Sequence, residues 1–209
     1  MKLKIMVLAA ILFGGAVQAQ NNPTALLKKV LDKMTTYTNF KANFSYQLDN
    51  KEMNIHEKKV GLIYVEGKKY RVETKEAIII SDGVTQWNLY SDSKSGTINN
   101  VDTTDLLSGS PSKILSKYLK YKSRFEHKGN RHSSLRAILL SDKKDKAYSK
   151  IIVKVNAKKL LLYSFSMYSK DGNVYTIKLS NLKPNQKLKA GTFTFDKGKF
   201  KAYDVEDMR

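Results

Sequence analysis

Apolar residues recur along this chain with two periods. Near the start, Leu26, Leu27, Val30, Leu31 and Met34 fall at helical spacing, with Lys28, Lys29, Asp32 and Lys33 on the other face. Asn22-Pro23 supplies an N-cap and a first-turn proline, so the spacing predicts a helix that ends near Thr35–Thr38. From Phe40 the period drops to 2. Ala42, Phe44, Tyr46 and Leu48 share one face and Asn43, Ser45 and Gln47 the other. Further strands are predicted at 59–66, 69–74, 77–81, 86–90 and 97–101, with a loop over 50–57 and turns at Gly67-Lys68, Ser81-Asp82-Gly83 and 92–96. In the second of these hairpins Trp87 and Leu89 share a face.

After a connector over 102–112 containing Leu106, Leu107, Gly109 and Pro111, helical spacing returns briefly at Ile114, Leu115, Tyr118 and Leu119. That helix is about ten residues long, too short to persist without a surface to rest on. A meander follows. Tyr121, Ser123, Phe125 and His127 alternate with Lys122, Arg124 and Glu126, and Gly129-Asn130 turns the chain. Leu135, Ala137 and Leu139 form one face; Ile151, Val153 and Val155 another; Leu161, Tyr163, Phe165 and Met167 a third, strongly apolar one. Asp171-Gly172-Asn173 turns the chain into Tyr175, Ile177 and Leu179, and Phe193 and Phe195 make a last short strand before a polar tail. The sum is a mainly β protein of about eleven strands and two helices. One-sided alternation implies an antiparallel barrel or a strongly curled sheet, with the helices most economically laid across its concave face. No repeat or linker divides residues 20–209, which are expected to form one domain.

Composition changes this picture in three ways. Residues 1–19 have Lys2 and Lys4, an apolar core from Ile5 to Phe13 and a Val17-Gln18-Ala19 site, the layout of a signal peptide cleaved after Ala19. There is no cysteine, hence no disulfide and no acceptor for N-terminal lipidation, and a periplasmic, monomeric protein is expected. The formal charge is +19, and residues 113–160 alone hold 15 basic and 3 acidic residues. Such clustering suits an anionic partner such as membrane headgroups or an acidic protein; nucleic acid fits the charge but not an exported protein, and a merely solubilising lysine-rich surface fits equally.

Catalytic chemistry finds no foothold. Without cysteine there is no thiol nucleophile, and no nucleophile elbow, phosphate loop or H-E-x-x-H is present. His56, His127 and His132 do not make a recognisable ligand set. Asp82 reads as a turn residue. No cofactor is expected, and the protein is not expected to be an enzyme. What the pattern does supply is apolar surface: Phe44, Tyr46, Trp87, Tyr163, Phe165, Met167 and Tyr175, with the two helix stripes, would either pack a core or line a cavity. A cavity for acyl chains needs only apolar walls, since each buried CH₂ contributes about 0.8 kcal/mol.

Several segments together resemble the LolA family of periplasmic lipoprotein carriers. Ile79-Ile80-Ser81-Asp82-Gly83 followed by Trp87 is similar to that family's signature hairpin. Phe40-Lys41-Ala42-Asn43-Phe44, Gly61-Leu62-Ile63-Tyr64, Tyr70-Arg71-Val72-Glu73, the helix at Ile114-Leu115, and Phe193-Thr194-Phe195 with Asp204-Val205 resemble further family segments in the same order. The resemblance implies an eleven-stranded incomplete barrel under a helical lid. It implies a cavity for lipoprotein acyl chains, received from an inner-membrane ABC-type release complex and delivered to an outer-membrane acceptor or membrane surface. The residues it suggests for the cavity are Leu27, Leu31, Phe44, Tyr46, Tyr64, Tyr70, Val72, Trp87, Ile114, Leu115, Tyr118, Phe165 and Met167. Where many members carry Arg-Pro, with the arginine latching the lid, this chain has Gly67-Lys68. The alternative is an envelope sensor or adaptor, or an anionic-lipid-binding protein, of the same fold.

Overall fold

The structure is a computed structural model, described over residues 22–101, 111–126 and 134–209. The expected signal peptide, most of the expected 102–112 connector, His127, His132 and the expected Gly129-Asn130 turn lie outside these residues.

Helix α1 (Pro23–Thr35) starts as its sequence dictates: the Asn22 side chain accepts a hydrogen bond from the Ala25 N–H at 3.1 Å, and Pro23 fills the first turn. It buries Leu26, Leu27, Val30 and Met34. Twelve strands then build one sheet: β1 (Phe40–Asn50), β2 (Ile55–Glu66), β3 (Lys69–Thr74), β4 (Ala77–Ser81), β5 (Thr85–Tyr90), β6 (Ser95–Asn100), β7 (Lys122–Phe125), β8 (Leu135–Ser141), β9 (Tyr148–Asn156), β10 (Leu161–Ser169), β11 (Val174–Pro184) and β12 (Asp204–Asp207). Helix α2 (Pro111–Tyr118) lies between β6 and β7 in the chain. The spatial order is β12-β6-β5-β4-β3-β2-β1-β11-β10-β9-β8-β7. Every pairing is antiparallel except β12 with β6. Among the described residues β7 and β12 do not pair with each other, so the sheet stays open, as expected of an incomplete barrel.

Two meanders, β1 to β6 and β7 to β11, are thus joined by β1 pairing with β11. Asn181 sits there in the left-handed region (φ 49°), at an irregularity that sets Lys41 against Lys183 but Asn43 against Ser180. Such a bulge increases the local twist and bend. Both helices and strands from each meander meet in one apolar core: Leu27, Val30, Leu115 and Tyr118 pack with Tyr70, Ile138, Val153, Phe165 and Met167.

Four expectations are corrected. The 50–57 segment is a tight turn inside a longer hairpin, with β1 reaching Asn50 and β2 beginning at Ile55. Along β8, Ile138 and Leu140 carry the core and Leu135 is 39% exposed, so the inward phase is the opposite of the one read from Leu135, Ala137 and Leu139. In β10 a register shift between Leu162 and Ser164 reverses the alternation; Leu162, Phe165 and Met167 are buried while Tyr163 is 45% exposed. The C-terminal region differs as well. Phe193 and Phe195 are not in a strand, and the tail supplies the twelfth strand, β12.

Candidate functional site

A groove of about 340 Å³ opens on the concave face between the middle strands and α2. Its floor is built by alternation. Ile63 of β2, Val72 of β3 and Ile79 of β4 stand in one cross-strand row, continued on β5 by Asn88. Phe44 and Tyr46 of β1 face Leu179 and Ile177 of β11 directly across the β1–β11 ladder. Ile114 of α2 lines the same space. Gly61, opposite Phe44 in β2, provides room for that ring: a Cβ there would lie 3.1 Å from Phe44 Cε1 and only 1.9 Å from the Glu73 carbonyl oxygen. The wall is therefore apolar from β11 to β4. It becomes polar on β5 and β6, where Gln86, Asn88, Thr97 and Asn99 hydrogen-bond to one another in a chain. Glu57, Lys59, Glu76 and the half-exposed Tyr90 ring the remaining rim. Groove walls of this kind, apolar with a few polar groups at one edge, fit a ligand with a hydrocarbon body.

Of the residues suggested for the cavity, Phe44, Tyr46, Val72 and Ile114 line the groove. Leu27, Tyr70, Leu115, Tyr118, Phe165 and Met167 are buried in the adjoining core, and Leu31 packs against it. Tyr64 and Trp87 lie on the opposite, outer face. Trp87 stacks on Phe195, with ring centroids 6.0 Å apart, and Phe195 in turn stacks on Phe200 at 5.7 Å. Tyr64 takes Lys41 Nζ over its ring at 5.1 Å. The reason is phase: Lys41, Tyr64, Arg71, Ile80 and Trp87 form an outward row, one residue out of step with Ile63, Val72 and Ile79. The pattern did not mark Ile63, Ile79, Ile177 and Leu179 as lining residues. Ile78-Ile79-Ile80 is apolar throughout and carries no phase of its own; the Val72–Ile79 pairing is what assigns it.

Helix α2 is held at its C-terminal end. The Tyr121 hydroxyl donates to Asp145 Oδ2, and Asp145 Oδ1 accepts from the Ala147 and Tyr148 N–H groups at 2.8 and 3.0 Å. Thr24 and Ser123 hydroxyls, 2.6 Å apart, tie α1 to β7. Burial pushes the Tyr121 hydroxyl pKa up, and its bond to Asp145 adds to this. For Asp145 partial burial acts upward, but the Tyr121 and backbone hydrogen bonds outweigh it and hold the carboxyl below its ordinary 3.8. A folded-state pKa below the unfolded one means stabilisation that is present above about pH 4 and lost as pH falls through the folded value. Asp145→Asn is expected to cost about 1–2 kcal/mol at pH 7, the modest end for charged hydrogen bonds because the group is partly solvated. The gap between the two proteins should narrow in urea titrations as the pH is lowered below 4 through the folded pKa.

Tyr118, 1% exposed, meets Tyr121 edge-on at 5.1 Å and Phe165 at 5.7 Å, and among the described residues its hydroxyl has no hydrogen-bond partner. Burial, then the nearby Tyr148 and Asp145, push its pKa up to about 12. Removing an unpartnered buried hydroxyl relieves its desolvation cost, so Tyr118→Phe should raise stability by about 1 kcal/mol, read as a higher urea midpoint at unchanged slope.

No group of three or more His, Asp or Glu converges as metal ligands among the described residues. His56 instead bonds to Asp49. Of the two lysines beside the missing Arg-Pro, Lys69 pairs with Glu66 at 3.2 Å on the surface.

Comparison with known proteins bears on the fold. Among solved structures, an uncharacterized conserved protein from Thermus thermophilus superposes with a TM-score of 0.54 at 11% identity, covering 87% of this chain and 96% of that one. A LolA superfamily protein from Nitrosomonas europaea gives 0.44 at 14% identity, over 82% and 97% of the two chains. The lipoprotein LppX from Mycobacterium tuberculosis gives 0.46 at 12%, over 80% and 99%. No curated protein sequence matches significantly. The family model for the outer membrane lipoprotein carrier protein LolA matches residues 34–196, well over half the chain. On that match, and on the open, helix-covered sheet that carries it, the chain belongs to the LolA family.

Proposed function

We propose that this protein is an exported, non-enzymatic carrier that holds the acyl chains of lipoproteins in the concave groove and moves them through the periplasm to the outer membrane. The observation that carries the reading is the groove itself: an apolar wall of Phe44, Ile63, Val72, Ile79, Ile177 and Leu179 beside a short helix, Ile114 included, in a family of lipoprotein carriers. Acyl chains would displace water from this wall and gain about 0.8 kcal/mol per CH₂ buried. Transfer then requires only that the acceptor offer a better environment, so no catalytic group is needed. Loading from an inner-membrane ABC-type complex and unloading at an outer-membrane acceptor or the membrane surface complete the proposed route. Cleavage after Ala19 would release the carrier into the periplasm.

Native mass spectrometry with lipid extraction, on protein purified from a bacterial periplasm, tests this. The expected result is a co-purifying acylated peptide or lipoprotein. Bound free phospholipid in its place would replace the cargo, and empty protein that also fails to take up acylated peptide in vitro would overturn the reading.

A further inference from the structure

The outer face of the same strands carries a second cavity, of about 550 Å³. It lies beneath the arch formed by residues 185–203, which leaves β11 and returns as β12. The arch is fastened at its start by two hydrogen bonds to one residue: the Asn185 N–H donates to the Asn39 carbonyl and the Gln186 N–H to the Asn39 side-chain oxygen, both at 2.8 Å. Its far end is fastened by the stack of Phe195 on Trp87 and by the pairing of β12 with β6. Over Ile80 and Trp87 the contact is apolar. Over Lys41 and Tyr64 the arch stands off and leaves the cavity, and Arg71 Nη1 spans it to donate to the Thr192 carbonyl at 3.4 Å.

The charge of that cavity is unbalanced. Lys41, Arg71, Lys187, Lys189 and Lys199 line it, against Glu73 and Asp196. Arg71 is fixed by Glu73 at 2.6 Å and Lys199 is near Asp196 at 3.7 Å. Lys41, Lys187 and Lys189 take part in no ion pair among the described residues. Like charges gathered around one cleft repel one another, and an anion that joins them relieves that repulsion. The cavity is larger than a bare phosphate ion needs, and the rings of Tyr64 and Phe200 and the hydroxyls of Thr192 and Thr194 line it too. They offer a flat apolar contact and hydrogen bonds to an organic body.

We propose that this cleft is a binding site for a phosphorylated small molecule, its phosphate held by Lys41 and the arch lysines and its body set against Tyr64 and Phe200. The phosphate comes either from a soluble phosphate ester or from a lipid headgroup at a membrane surface. The site is independent of the acyl-chain groove, which uses the alternate residues of the same strands.

The test uses residues 20–209 with glucose 1,6-bisphosphate in calorimetry and phosphatidylglycerol vesicles in co-sedimentation. A Lys41→Met/Lys187→Met pair is compared with Lys143→Met/Lys144→Met, a pair of equal charge change in the exposed β8–β9 loop. Saturable one-to-one binding of the bisphosphate, weakened at least tenfold by the first pair and less than twofold by the second, supports the site with a soluble ligand. Vesicle binding with that same selectivity supports it with a headgroup. Equal losses in both pairs would show a general charge effect and overturn the proposal, as would absence of binding to either probe. Lipid loading by native mass spectrometry, unchanged in the first pair, separates failure here from failure of the carrier reading.

Discussion

Gly61→Val is expected to lower the unfolding free energy by about 3 kcal/mol or more, a large share of the 5–15 kcal/mol that typical domains possess. The cause is steric and local. The Cβ of any residue at 61 would lie 1.9 Å from the Glu73 carbonyl oxygen, far inside contact distance, so β2 and β3 would have to part. That carbonyl belongs to backbone and cannot rotate away as a side chain would. Parting the strands also disturbs the Ile63–Val72 pair further along the ladder, and with it the floor of the groove. Urea unfolding gives the check: a markedly lower midpoint is expected even for Gly61→Ala, with the valine variant worse. Two variants unfolding at the wild-type midpoint would mean that β2 and β3 do not approach this closely.

The second large effect is on binding rather than stability. Ile79→Glu places a carboxylate in the middle of the apolar row, where an acyl chain would have to desolvate it. Affinity for a fluorescent fatty-acid probe should fall at least tenfold. Ile79 is only half-buried, and the glutamate can turn to solvent when the groove is empty, so the urea midpoint should move little. Trp87→Ala should do the reverse. It removes the ring that Phe195 stacks on, costing about 2–3 kcal/mol as a partly buried aromatic truncation, and leaves probe affinity close to wild type because Trp87 is on the other side of the sheet. If Trp87→Ala abolishes probe binding in still-folded protein while Ile79→Glu leaves it intact, the groove is on the wrong face.

That contrast marks what the sequence disclosed. Turn chemistry was legible: Asp82 Oδ1 accepts from the Val84 and Thr85 N–H groups at 2.9 and 2.8 Å, and Gly83 has φ 99°, as the Ser81-Asp82-Gly83 motif implies. The helix start at Asn22-Pro23 and the period of nearly every strand were legible for the same reason, since each is decided within a few residues. Which face turned inward was not. Trp87 and Leu89 do share a face, but that face is apolar because the arch covers it, and nothing within the hairpin distinguishes cover by an arch from cover by helices. The shift at Leu162–Ser164 was hidden because Leu161-Leu162-Tyr163 is apolar in either phase. The strand Asp204–Asp207 was hidden because backbone pairing to β6 and the single apolar residue Val205 secure it, and Phe193-Thr194-Phe195 alternates as a strand does while serving to plug a surface. Candidate lining residues followed: Phe44, Tyr46 and Val72, on strands whose phase was unambiguous, are at the groove, Tyr70 in the same phase is buried in the core beside it, and Tyr64 and Trp87, which depended on the choice of face, are on the outer side.

The β1–β11 ladder has a consequence for how the molecule comes into being. Phe44 meets Leu179 and Tyr46 meets Ile177, residues more than a hundred positions apart. A chain emerging N-terminus first from a translocation pore completes the hairpins β1 to β6 early, each from neighbours in sequence. One wall of the groove is then still missing, and its apolar residues face water. Pairing at such long range is slow, because the loop must close before any contact rewards it. Half-made molecules therefore expose a sticky strand edge at β1 until β11 arrives. Under the proposed function the groove then lacks a wall for its cargo, so loading would follow completion of the β1–β11 ladder.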